Sequence, residues 1–212
     1  MKSRVMRLGL TSEELREGLD RVATIEPAVA RALERVGYPE PRTSAPGYGT
    51  LLRTIVGQQV SVAAARSIWN KLEQAVGPGL PPDVLLSASD QRLREAGLSR
   101  QKISYARSLA GQIATGTLDL ERLPEDDEQA VALLTGIKGI GRWSAEIYLL
   151  FAEGRPDIWP AGDLAVQVEI GRIMGLEARP SERQTRELAH AWKPYRGAMA
   201  ILSWHHYKTK VL

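Results

Sequence analysis

Two short segments combine residue types that could act on a ligand. In the first, Leu134-Thr135-Gly136-Ile137-Lys138-Gly139-Ile140-Gly141-Arg142-Trp143-Ser144-Ala145, one helical pattern stops and another starts around a Gly-Ile-Gly turn. Two glycines flanking one apolar residue let the backbone reverse sharply while Ile140 plugs the junction. The N–H groups of Gly139, Gly141 and the first turn of the following helix then have no intrahelical partner, which makes them a cradle for a phosphate. A plain helix connection, with the glycines serving geometry only, is the rival reading. The Arg142-Trp143-Ser144 that follows and the basic balance of the chain favour DNA, whose backbone such a hairpin holds without reading bases. In the second segment, Asp157-Ile158-Trp159-Pro160-Ala161-Gly162-Asp163, a loop hands over to a helix. On residue type alone Asp163 reads as an N-cap and Asp157 as a turn residue.

Aromatic usage is lopsided, with five tryptophans against one phenylalanine. Trp69 lies mid-helix at core spacing and reads as packing, whereas Trp159 and Trp192 are open between packing and function. Gln58 and Gln59 stand beside Gly57 where two helical patterns meet, and by themselves they read as surface glutamines in a loop.

Composition removes other chemistries. The 212 residues contain no cysteine, which excludes disulfides, thiol nucleophiles, thiolate zinc sites and cysteine-ligated iron–sulfur clusters. Only three histidines are present, His205 and His206 being adjacent, so a histidine-rich metal centre is not expected. Lys and Arg number 28 against 25 Asp and Glu, a formal charge of +3. No apolar run approaches the roughly 18 residues of a membrane span, and Met1–Leu10 lacks the apolar core of a signal peptide. A soluble, intracellular protein is expected: cytoplasmic and nucleoid-associated in a bacterium, nuclear in a eukaryote.

Apolar residues recur at helical spacing almost throughout, and period-two alternation is hard to find, which predicts an all-α fold. Thr11 or Ser12 caps a first helix that Pro27 separates from a second, and residues 39–49, dense in Pro, Gly and Ser, form a linker. Helical patterns then run over 48–57 and, capped by Ser61, to about Gly77. Further starts are at Pro81-Pro82-Asp83, at Ser89 or Asp90, and at Ser99. Residues 125–135 and 142–153 flank the Gly-rich turn, and helices follow over 163–174, 181–191 and 194–207. The expectation is a compact bundle of about ten short helices.

These residues together resemble the helix-hairpin-helix DNA glycosylases. The hairpin is followed, 22 residues after Gly141, by Asp163 in a Gly/Pro-rich loop. Upstream, Ile55-Val56-Gly57-Gln58-Gln59-Val60-Ser61 is similar to the family's Gln-containing turn, and downstream Trp192-Lys193-Pro194-Tyr195-Arg196 matches its late motif. Four motifs in order, spread over most of 44–207, are most similar to the alkylpurine branch, the type II 3-methyladenine DNA glycosylases.

The resemblance implies two helical lobes with the active site in the cleft between them, and a helix-hairpin-helix over about 127–153. Residues 1–212 would form one glycosylase domain, too short for the amino-terminal β-rich domain of larger members. Asp163 becomes the catalytic carboxylate. Trp143 and Trp204, with Tyr48 a weaker candidate, line the pocket for the extruded base. Gln58, Gln59, Lys138, Gly139, Ile140, Gly141, Arg142 and Ser144 contact DNA, Gln59 as the wedge that fills the gap. Lys138 stands where the hairpin often has Pro, and adds either a phosphate contact or a solvated charge. Backbone carbonyls of Thr135, Ile137 and Ile140 match positions that hold a structural monovalent cation, Na⁺ or K⁺; no cofactor is required. Bifunctional members carry a Schiff-base lysine where this chain has Trp143, so no lyase activity is expected. The expected partner of this monomer is damaged duplex DNA, and the expected reaction is hydrolytic excision of alkylated purines. A glycosylase for oxidised or mispaired bases and a non-catalytic DNA-binding module are the alternatives.

Overall fold

Thr11 opens the first helix with a reciprocal cap: its hydroxyl accepts from the Glu14 N–H at 3.1 Å, and the Glu14 carboxylate accepts from its N–H at 2.9 Å. The same logic sets most helix starts in this computed structural model, which describes residues 8–209. Twelve α-helices and one 3₁₀ turn are present among these residues, and no strand. Each of the twelve helical segments read from the sequence forms, two more than the round figure of about ten, and the end of the segment 181–191 is a separate 3₁₀ turn, Ala189–Trp192.

The chain divides into two compact units. One comprises the residues up to Ser44 and from Leu149 onward. It contains α1 (Ser12–Ile25), α2 (Pro27–Val36), α10 (Leu164–Ile173), α11 (Glu182–Leu188), the 3₁₀ turn Ala189–Trp192 and α12 (Arg196–Thr209). Its central helix is α12, buried continuously from Gly197 to Trp204 and packed by α1, α2 and α10. One polar link crosses this core: His206 Nδ1 lies 2.6 Å from Glu169 Oε2, and Arg172 donates to the other oxygen at 2.6 Å. Glu169 is wholly buried, so this link fixes the rotation of α10 against α12.

The other unit, Ala45–Tyr148, contains α3 (Tyr48–Gly57), α4 (Val62–Val76), α5 (Pro82–Ser87), α6 (Asp90–Glu95), α7 (Arg100–Ala114), α8 (Asp127–Thr135) and most of α9 (Arg142–Phe151). Here α7 is the core helix, against which α3, α5 and α6 pack. Ser61, Ser89, Ser99 and Asp126 each cap a helix by accepting the N–H three residues on. Trp69 is a core residue with the Arg53 guanidinium 3.6 Å above its ring, as the helical spacing predicts. Among the described residues, no helix is long and apolar enough to cross a membrane.

Candidate functional site

In the unit built on α7, the turn between α8 and α9 is closed by Ile137 N–H to Leu134 O at 3.1 Å and Ile140 N–H to Ile137 O at 3.0 Å. Ile137 and Ile140 are buried, so the apolar residues plug the hairpin as expected. The two glycines are not equivalent. Gly139 has φ +85°, and a Cβ there would stand 2.2 Å from the Tyr105 ring of α7. Gly141 is not in the left-handed region, and a Cβ on it would meet nothing within 4 Å. The turn therefore needs glycine only at 139, a correction to the symmetric expectation.

That asymmetry gives a clean test. Gly139→Ala should destabilise the fold by about 2 kcal/mol or more, through strain and overlap with Tyr105. Gly141→Ala should leave the melting temperature unchanged and weaken binding to every DNA sequence alike by roughly fivefold, about one hydrogen bond. A loss restricted to particular sequences, read by fluorescence anisotropy on unrelated duplexes, would contradict a backbone contact.

The residues around the hairpin have divided roles. Lys138 is exposed, Ser144 half-buried, and Trp143 stands 48% exposed on the first turn of α9. Arg142 differs from the expectation of a phosphate-contacting side chain. Its Nη2 lies 2.5 Å from Glu128 and its Nε 2.9 Å from the buried Glu146. The Glu128 hydrogen bond, chiefly, raises its pKa above the ordinary arginine value. Its guanidinium thus ties α8 to α9 through Glu128 and Glu146.

Gln58 and Gln59 also separate. Gln58 donates from Nε2 to the Gly139 carbonyl at 2.7 Å, bracing the hairpin from the α3–α4 turn. Gln59 is exposed at φ +56°. The turn is supported from below by Lys102, whose Nζ donates to Val56 O at 2.8 Å and covers the last carbonyls of α3. Burial lowers the Lys102 pKa from its usual value. Beside Gln59, Val60 and Val62 are exposed, Val62 at 88%. The sequence signals Val62 only by an apolar residue just inside a capped helix start.

Tyr48, at the start of α3, has a hydroxyl buried from solvent with no hydrogen-bond partner among the described residues, and burial raises its pKa. A buried unpaired hydroxyl is costly unless a ligand or water completes it.

The other unit holds Asp163. Its side chain accepts from the Val166 N–H at 3.0 Å, so it is the N-cap of α10 as residue type predicts. The preceding loop is rigid for identifiable reasons. Asp157 takes Arg196 in a bidentate pair, Nε to Oδ1 and Nη2 to Oδ2 both at 2.8 Å. Trp159 donates from its indole to Thr185 O at 3.0 Å and meets Trp192 edge-on at 5.4 Å, while Gln167 donates to Ala161 O at 2.8 Å. Trp159 and Trp192 are therefore core residues, and Asp157 is occupied in holding the start of α12. Asp163 is the carboxylate this loop presents at a helix N-terminus.

Trp204 is 8% exposed, with Phe151 tilted against it at 5.6 Å and the Arg42 guanidinium carbon 5.3 Å from its ring centroid. Arg42 lies within the segment read from the sequence as a linker, and nothing in local spacing marks it. Among the described residues, no group of three or more His, Asp or Glu is arranged to hold a metal.

The DNA-3-methyladenine glycosylase 1 of Schizosaccharomyces pombe is 30% identical over 171 residues, covering 78% of this chain and 73% of that protein. The crystal structure of a DNA-3-methyladenine glycosidase from Bacillus halodurans superposes with a TM-score of 0.82 at 30% identity, over 96% of this chain and 94% of that one. The 3-methyladenine DNA glycosylase of S. pombe in complex with abasic DNA gives 0.75 at 28% identity, over 92% and 97%. The chain spans 58% of the length of a Bacillus subtilis relative that it also matches. Residues 52–194, which contain the bracing turn, the hairpin and the Asp163 loop, match the HhH-GPD family, and the chain belongs to the HhH-GPD superfamily of base excision DNA repair proteins.

Proposed function

We propose that this protein is a monofunctional DNA glycosylase that extrudes an alkylated purine of the 3-methyladenine type and hydrolyses its N-glycosidic bond, leaving an abasic site. The observation that carries this reading is Asp163: a carboxylate fixed by its own helix N-terminus, in a loop pinned by Asp157–Arg196 and Trp159–Thr185, within a chain of this family.

Cleavage of the C1′–N bond sends its electron pair to the base and leaves positive charge on the sugar. Asp163 stabilises that charge and takes a proton from the attacking water. An N3- or N7-alkylated purine is cationic before cleavage, so it departs neutral and needs no general acid. Trp143, exposed and electron-rich, suits stacking on such a cation. The unpartnered Tyr48 hydroxyl suits a base heteroatom. Docking is assigned to the amides of Gly139, Gly141 and the first turn of α9 and to Lys138, on the phosphate backbone of damaged duplex, with the protein acting as a monomer; the Ile140 N–H, bonded to Ile137 O, is not among them. The carbonyls of Thr135, Ile137 and Ile140 are neutral oxygen donors, a chemistry that fits Na⁺ or K⁺ rather than a transition metal. Bound there, the ion would add positive charge facing the phosphate.

Chromatography of bases released from methylated DNA tests the activity. Free alkylpurine is expected, with no strand nicking, because Trp143 stands where a lyase would need its amine. A covalent protein–DNA adduct trapped by borohydride would overturn the monofunctional assignment.

A further inference from the structure

The segment joining α2 to α3 is not a spacer where it passes Trp204. Ser44 N–H donates to Phe151 O at 2.9 Å, and the Phe151 ring packs on Trp204, so the segment is tied to the aromatic pair. From it Arg42 reaches the Trp204 ring, 5.3 Å from guanidinium carbon to centroid. Arg42 is half-buried; desolvation lowers its pKa, and Asp163 opposes that shift. Carboxylate, cation and indole therefore belong to one unit of the protein, with the guanidinium beside the indole and near enough to the carboxylate to feel its charge.

A resident cation changes which bases such a site favours. The electron-rich face of Trp204 already serves Arg42, so a cationic base approaching it meets like charge. A neutral purine lesion presents the opposite problem. When its C1′–N bond breaks, the electron pair leaves the ring as an anion, which must be stabilised before it takes a proton from water. Arginine does not give up its proton, but its N–H groups can hydrogen-bond and electrostatically stabilise that anion.

We propose that Arg42 is a specificity-determining residue that supports departure of neutral purine lesions and moderates the preference for cationic ones. The inference rests on the glycosylase reading above and deepens it, assigning neutral purine lesions to the substrate range of the Asp163 site.

The experiment is single-turnover excision from two duplexes identical except for the lesion, 7-methylguanine as the cationic base and hypoxanthine as the neutral one. Arg42→Gln is expected to slow hypoxanthine release by about tenfold and to speed 7-methylguanine release. Arg42→Lys, which keeps the charge but not the planar fork, should fall between wild type and Arg42→Gln on hypoxanthine. Equal losses on both substrates would mean that Arg42 acts by positioning Asp163, and would overturn the proposal, as would wild-type protein that releases 7-methylguanine but no hypoxanthine. If Arg42→Gln does not fold, the Arg42→Lys ratio decides by itself: an unchanged ratio of the two rates rejects the inference. Wild-type protein releasing neither base would refute the glycosylase reading itself, a result distinct from an unchanged ratio.

Discussion

Asp163→Asn is expected to abolish base release without unfolding the protein or loosening its hold on DNA. Asparagine caps a helix about as well as aspartate, so the bond to the Val166 N–H survives and stability should move by less than about 0.5 kcal/mol. What is lost is the negative charge facing a sugar that becomes cationic as the bond breaks, an effect of about a hundredfold or more on the single-turnover rate. Affinity for duplex should hold or rise, because the change removes an anion and frees the Arg42 charge from its neutraliser. The control is Asp157→Asn, which breaks the bidentate pair with Arg196. It should lower stability by roughly 1–3 kcal/mol and slow each folded molecule far less than Asp163→Asn does. Rate measurements on methylated duplex, beside thermal melts of both variants, separate the two carboxylates. Retention of more than a tenth of the wild-type rate by Asp163→Asn would move the chemistry to another group.

The contrast between these two aspartates marks what local sequence can and cannot reveal. Helix starts were legible because a cap is a contact over three residues: Thr11, Ser61, Ser99 and Asp163 each cap the helix that their spacing predicts. The hairpin was legible for the same reason, its apolar plug and glycines being consecutive. Contacts made at long range leave no such trace. Gln58 bonds a carbonyl 81 residues away, and Lys102 one 46 residues away. Arg42 meets Trp204 from a stretch whose Pro and Gly content suggests a tether. Trp159 and Trp192 have similar surroundings in sequence to a pocket aromatic, and only the partners Thr185 and each other place them in the core. The equivalence of Gly139 and Gly141 fails likewise because Tyr105, on another helix, lies against only one of them.

Gln59 is where fold and function should pull in opposite directions. At φ +56° an L-residue is strained, typically by 1 kcal/mol or somewhat more, and the side chain is exposed with Lys102 and Gln58 holding the backbone beneath it. A strained, rigidly mounted, outward side chain suits the filler of a gap left by an extruded nucleotide. Gln59→Gly should therefore raise stability by about 0.5 to 1 kcal/mol, since glycine accepts this conformation, and lower excision from duplex by about tenfold or more, the scale of an unstacked base step left unfilled. Gln59→Ala keeps the strain and loses the filler, so it should show the same rate loss with no gain in stability. Excision from single-stranded substrate should stay within about twofold for both, because no stack has to be broken there. Gln59→Leu restores apolar volume but not the amide, and should keep activity while flattening its dependence on the base opposite the lesion. Single-turnover rates on both substrate forms, with each of the four opposite bases, decide the matter. An equal loss on single and double strands would assign Gln59 to the fold or the pocket, and a Gln59→Gly variant no more stable than wild type would remove the strain from the argument.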